Sequence, residues 1–150
     1  MNAPKTVTVK VSRRFKASPE RVFDAWLDPA KARRFLFATP TGEVVRADID
    51  ARVGGRFLIV DRRDGKDVAH EGEYLEIDRP RRLRFTFGVP KFSKEYSRVA
   101  IDIVAVGGGC ELTLVHEGVL AEYADKTPDG WGMIFDGLSA LLARNKSENG

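Results

Sequence analysis

A chain of 150 residues fits one domain, 1–150, large enough to bury about two-thirds of the surface its unfolded form exposes. With 43% apolar and 31% charged residues it holds too much apolar matter for general disorder, yet no apolar run approaches the roughly 20 residues that span a bilayer. A net charge of +3, with acidic residues close behind each arginine cluster, argues against nucleic acid as a partner; a single cysteine, Cys110, excludes an internal disulfide and, with no secretory pattern at Met1, leads us to expect a reducing cytoplasm.

From the N-terminus, Thr6 to Phe15 alternates, with Val7, Val9 and Val11 on one side and Thr8, Lys10 and Ser12 on the other, as a half-buried strand would. The period then changes. Ser18 is a good N-cap with Pro19 at the first helical position and Glu20 near the positive helix end, and Val22, Phe23, Trp26 and Leu27 form an apolar face. Asp28-Pro29 ends this helix, and Ala30 to Phe35 can make a second short one. The two read as a helical pair inserted between the first strand and the rest of a sheet.

From Glu43 to Gly118 the pattern predicts six strands. Turn chemistry separates them at Val53-Gly54-Gly55, Arg63-Asp64-Gly65-Lys66, Asp78-Arg79-Pro80, Gly88-Val89-Pro90 and Gly107-Gly108-Gly109, so successive hairpins should form a meander. Phe57 and Ile59, then Leu83, Phe85 and Phe87, then Val99, Ile101 and Ile103, then Leu112, Leu114 and His116 each keep one alternation, and each set should share the inner face. Thr127 and Pro128 offer an N-cap and first residue for a last helix. Its stripe is Trp131, Ile134, Phe135, Leu138, Leu141 and Leu142. Gly132 and Ser139 on one shoulder of the stripe and Gly137 on the other leave room either for close packing or for a pocket. Residues after Asn145 are polar and expected to fray, which puts the ordered core at about 6–145. The fold class is therefore α+β, a curved antiparallel sheet gripping one long C-terminal helix.

That order of elements resembles the helix-grip fold of the START-like superfamily. Ser18-Pro19-Glu20-Arg21-Val22-Phe23-Asp24-Ala25-Trp26 with Asp28-Pro29, then Arg52-Val53-Gly54-Gly55-Arg56-Phe57, are similar to motifs of the family named after the activator of the heat-shock protein 90 ATPase. So are the run from Gly72 to Phe87 and Leu112-Thr113-Leu114-Val115-His116-Glu117-Gly118 followed by Gly130-Trp131. The resemblance covers Thr6 to Arg144. It implies a hydrophobic or amphipathic small molecule held between sheet and long helix, in some members with a cyclase or hydrolase site in the same place. The resemblance implies a pocket more strongly than a reaction; the family's founding activity, stimulation of a chaperone ATPase in the stress response, belongs to longer proteins with an added chaperone-binding domain and is not carried over.

The residues themselves point to little chemistry. His70 and His116 each begin a His-Glu-Gly triplet, but a zinc site of the helical kind needs a second histidine four residues on, and neither triplet has one. No metal and no cofactor is expected. His116 shares parity with Leu112 and Leu114 and should face inward, as a buried, hydrogen-bonded histidine or as a ligand contact. Cys110 has no local base and reads as structural. Arg56, Glu71 and Glu73 lie in strands beside the cup, as rim or outer-face charges more often than inward ones. The aromatic wall of Trp26, Phe35, Phe37, Phe57, Tyr74, Phe85, Phe87, Trp131 and Phe135 is richer than a core of this size requires, which suits a ligand pocket. The expected site has Trp131, Phe135 and Leu138 on the helix side, Trp26 beside them, Phe57, Phe85 and Phe87 on the sheet side, and His116 or Tyr74 as the polar handle. No catalytic residue is assigned: the alternatives to plain binding are an enzyme of polyketide-cyclase type, using His116 and an inward carboxylate, and a cochaperone-like or regulatory module that docks on a protein. Monomer and homodimer are both left open.

Overall fold

The computed structural model describes residues 5–37, 42–91 and 95–149, with side chains described through residue 143. Alternation over ten residues makes β1 (Thr6–Phe15), and the change of period at Ser18 makes α1 (Pro19–Leu27), with the Ser18 hydroxyl accepting from the Arg21 N–H. Asp28 serves both sides of the next break. Its N–H closes α1 on the Asp24 carbonyl at 3.0 Å, and its carboxylate accepts from the Ala30 N–H at 2.9 Å, opening the short α2 (Pro29–Ala32). The second helix is thus one turn long, starting at Pro29 and ending before the expected Phe35, and the chain continues as turns to Phe37.

Six strands follow: β2 (Glu43–Ile49), β3 (Arg56–Arg63), β4 (Lys66–Asp78), β5 (Arg82–Phe87), β6 (Ser97–Val106) and β7 (Gly109–Leu120). With β1 they form one antiparallel sheet in the order β1-β7-β6-β5-β4-β3-β2. Each hairpin pairs sequence neighbours, and the one long-range pairing is β1 with β7, from Thr6 opposite Leu120 to Phe15 opposite Cys110. The sheet bends along β4. Its first half pairs with β3 down to Glu73 opposite Arg56, its second half pairs with β5 from Tyr74 opposite Phe85, and the register slips between Tyr74 and Glu76, as a bulge that curls a sheet does. Gly72 sits at this bend because nothing larger fits. A Cβ there would lie 1.8 Å from the Thr86 carbonyl oxygen and 2.6 Å from the Phe57 ring.

The last helix, α3 (Thr127–Asn149), lies in the cup so formed. Thr127 is its first residue rather than its cap. The hydroxyl donates backward at 2.8 Å to the carbonyl of Tyr123, the last residue of a 3-10 turn at Ala121–Tyr123, so it serves the preceding turn instead of capping the helix amides. The helical backbone runs to Asn149, past the expected end near Asn145, since no glycine or proline interrupts it there. The whole stripe from Trp131 to Leu142 is buried, together with the inward residues of β3, β5, β6 and β7. Of the small shoulder residues, Gly137 serves close packing: a Cβ there would meet the Phe35 side chain at 3.2 Å. Two polar ties pin the middle of the helix to β1 and α1. Arg13 of β1 donates to Asp136 at 2.8 Å with its guanidinium 5.7 Å from the Phe135 ring centroid, and Arg21 of α1 donates to the Leu142 carbonyl at 2.8 Å.

Candidate functional site

Strand alternation aims Phe57, Tyr74, Phe85 and Phe87 at the concave face, α1 brings Trp26 against its closed end, and α3 lays Trp131 across it. All are buried but Phe87, which is half-buried. The middle of the cup is taken by Phe37. Its ring stacks on His70 at 4.7 Å with the planes 2° apart, on Phe87 at 5.0 Å and on Phe57 at 6.2 Å, and tilts against Trp131 at 6.0 Å. Phe37 also holds φ at 59°, a left-handed conformation that costs a residue with a Cβ about 1–2 kcal/mol. Sequence pattern placed Phe37 in the aromatic wall without marking it as the ring that fills the centre; no periodicity carries that information, because the residue belongs to a turn.

What space remains is small. A void of about 10 Å³, room for one water at most, is lined by Trp26, Leu36, Phe37, Phe57, Tyr74, Leu83 and Phe85. Four of the expected site residues, Trp26, Phe57, Tyr74 and Phe85, therefore meet at one point. Phe87, His116 and Trp131 gather around Phe37 a little further along, while Phe135 turns its ring to Phe15 at 6.1 Å and Leu138 joins the general core; neither lines the void.

His116 faces inward, and both of its nitrogens are occupied. An indole N–H can only donate, so the bond from Trp131 Nε1 to His116 Nδ1, 3.1 Å long, requires a lone pair on Nδ1 and places the ring proton on Nε2. That N–H meets Ser97 Oγ at 2.7 Å, and the Ser97 hydroxyl donates onward to the Phe87 carbonyl at 3.2 Å. The chain is complete only with a neutral imidazole, and burial independently lowers the His116 pKa to about 4. In this arrangement the His116 lone pair is engaged, since it already accepts from Trp131.

His70, on the neighbouring part of the wall, is buried as well. Its Nδ1 lies 3.3 Å from the Ile59 carbonyl and so carries the proton, while burial first and the Arg63 charge second lower its pKa to about 4. Two residues beyond Ile59, the partner of His70 on β3, and on the same face, Asp61 is buried and bonded to the Arg63 guanidinium. Alternation through Phe57 and Ile59 put Asp61 on the inner face, where sequence reasoning did not look for a charge. Arg56, Glu71 and Glu73 lie together on the outer face, with Arg56 3.2 Å from Glu71 and 4.0 Å from Glu73. Cys110 is fully buried and its thiol is pushed up by that burial, as suits a packing residue. Among the described residues no three metal-ligating side chains cluster, and no helix is long and apolar enough to cross a membrane.

One polar group on this wall, the Trp26 indole, has no partner among the described residues. Trp26 is 1% exposed, and its Nε1 makes no hydrogen bond to any described residue. A buried unpaired donor costs about 1–3 kcal/mol, and this one belongs to a ring that borders the void.

Known proteins share this fold. A family model described as "Activator of Hsp90 ATPase homolog 1-like protein" matches residues 16–143. A search of curated proteins finds no match. Among solved structures, a protein from Chromobacterium violaceum is 27% identical over 90% of this chain and 96% of its own, with a TM-score of 0.84. A Staphylococcus aureus protein described as of unknown function superposes at 0.85 with 19% identity over 96% of this chain and 98% of its own, and an AHSA1-like protein from Aeromonas hydrophila at 0.82 with 18% identity over 93% and 94%. The last two show the fold alone. Since the family model spans the chain from the end of β1 into α3, the chain belongs to the family of Activator of Hsp90 ATPase homolog 1-like proteins.

Proposed function

We propose that this protein binds a hydrophobic or amphipathic small molecule between the sheet and α3, without catalysis, and that the ligand takes the place of Phe37. The observation that carries this reading is the state of Phe37 itself: a ring sandwiched in an aromatic slot yet held there by a left-handed backbone. Burying a phenylalanine side chain is worth about 1.5–3 kcal/mol, and relaxing the left-handed backbone returns about 1–2 kcal/mol, so withdrawing the ring costs little once another ring fills the gap. Ligand pockets of about 300–1,000 Å³ are lined mainly by apolar and aromatic groups with a few polar ones, which describes the walls left behind when Phe37 departs. His116, locked between Trp131 and Ser97, then positions Trp131 as one wall of the slot.

The test is thermal stability of the wild type and of Phe37→Gly against fatty acids, aromatic polyketide-like compounds and flavonoids. A selective binder present at 100 times its dissociation constant should stabilise by about 2.7 kcal/mol. Phe37→Gly should bind the same compounds more tightly than the wild type, because it no longer has a ring to expel, whereas Phe85→Glu should abolish binding and Lys10→Glu leave it alone. A panel in which neither the wild type nor Phe37→Gly responds sinks the reading.

A further inference from the structure

The void at the closed end of the cup has a chemical character that the rest of the wall lacks. Its lining comprises five aromatic rings and two leucines, with no charged side chain, so a carboxylate or an ammonium placed there meets no counter-charge and pays its full desolvation. Trp26 contributes a donor that is buried and unbonded to any described residue. Tyr74 contributes a phenol whose hydroxyl donates to no described group, and burial, helped by the charge of Asp50, keeps its proton in place. Phe37 borders the same void, so withdrawal of its ring makes the space it leaves continuous with these donors.

We propose that the buried end of the slot recognises a neutral hydrogen-bond acceptor, a ketone, ester or amide carbonyl on an otherwise apolar ligand, with the Trp26 indole N–H as donor and the Tyr74 hydroxyl beside it. This rests on the reading of the cup as a ligand site and adds the class of group the ligand carries. An indole N–H cannot accept, so an alcohol binds through its oxygen only, and a hydrocarbon leaves the donor as unpaired as it is now. A carbonyl oxygen has two lone pairs and no proton to place. It satisfies the site without bringing in a charge or a further donor.

The experiment uses three probes of one size, ethylbenzene, acetophenone and benzoate, titrated by calorimetry into Phe37→Gly and into Phe37→Gly/Trp26→Phe. Glycine is chosen because it tolerates φ near 59° and so offsets part of the lost packing. Acetophenone should bind Phe37→Gly about fivefold more tightly than ethylbenzene, and benzoate more weakly than either. The acetophenone advantage should vanish in the Trp26→Phe background, where ethylbenzene still binds. The chain has two tryptophans, so the wild type gives two indole resonances. If Phe37→Gly does not fold, saturating acetophenone should move the Trp26 indole proton of the wild type downfield while ethylbenzene does not. Equal binding of acetophenone and ethylbenzene, or an unmoved Trp26 resonance at saturation, overturns the polar anchor and leaves the cup standing. Failure of all three probes to bind a folded Phe37→Gly overturns both.

Discussion

Lowering the pH from 7 to 5 should cost this protein about 4 kcal/mol of folding stability, almost all of it through His70 and His116. Each is held neutral in the fold with a pKa of about 4, against 6.5 for the free side chain. Because the folded values are depressed, the unfolded chain takes up protons first. Stability is therefore full above about pH 6.5, falls as the pH drops from there, and levels off below about 4. At pH 5 an ordinary histidine is almost wholly protonated and these two are not, which amounts to about 2 kcal/mol for each. The carboxylates of Asp24 and Asp67, pulled below their usual range by hydrogen bonds from Arg79 and Arg62, stay ionised across this window and do not contribute to it. A loss of this size is a large fraction of the 5–15 kcal/mol typical of a domain, roughly, and is readable by urea denaturation at pH 7, 6 and 5. His116→Gln, whose amide can both donate and accept, should remove about half of the pH dependence. Equal stability at pH 7 and 5, or histidine ring protons that titrate near 6.5 in the folded protein, would refute the account of both rings as buried and neutral.

Other perturbations follow from single contacts. Trp131→Phe takes away the N–H aimed at His116 Nδ1 and so removes one reason for neutrality; the His116 pKa should rise toward 6.5, and an unchanged histidine titration by NMR would break the assignment of that bond. Ser97→Ala leaves the His116 Nε2 proton without an acceptor and should cost about 1–3 kcal/mol at pH 7 in the same denaturation assay, where a change under a few tenths would contradict it. Leu138→Ala, at a fully buried position of α3, should cost about 2–5 kcal/mol. Gly72→Ala would push a methyl into the Thr86 carbonyl and the Phe57 ring, so soluble yield and melting temperature should both fall sharply; wild-type behaviour would mean that the bend in β4 is looser than it looks.

Much of the fold was legible along the chain because its signals are local. The bounds of β1, the Ser18 cap, the break at Asp28-Pro29, the hairpin turns and the stripe of α3 each depend on residues within a few positions of one another, and the structure reproduces them. Alternation likewise assigned the inner face from Phe57 to His116. Where local signals competed, reading failed by a residue or a turn: Thr127 could cap the helix ahead or bond the turn behind, and α2 stops at Ala32 because the chain must turn inward to bring Phe35 to Phe37 into the core.

The sequence by itself determined which side of each element is apolar and where each element begins, since side-chain periodicity and capping are properties of neighbours in the chain. Only the tertiary structure decided that β1 pairs with β7, that the sheet curls at Gly72, that Trp131 fixes the tautomer of His116, and that Phe37 fills the slot its neighbours line. Periodicity says which way a side chain points and nothing about which distant side chain it meets. Whether a cup is open or full depends on the summed volumes of rings from β3, β4, β5, α1, α3 and one turn, a quantity that exists only once those elements have been brought together.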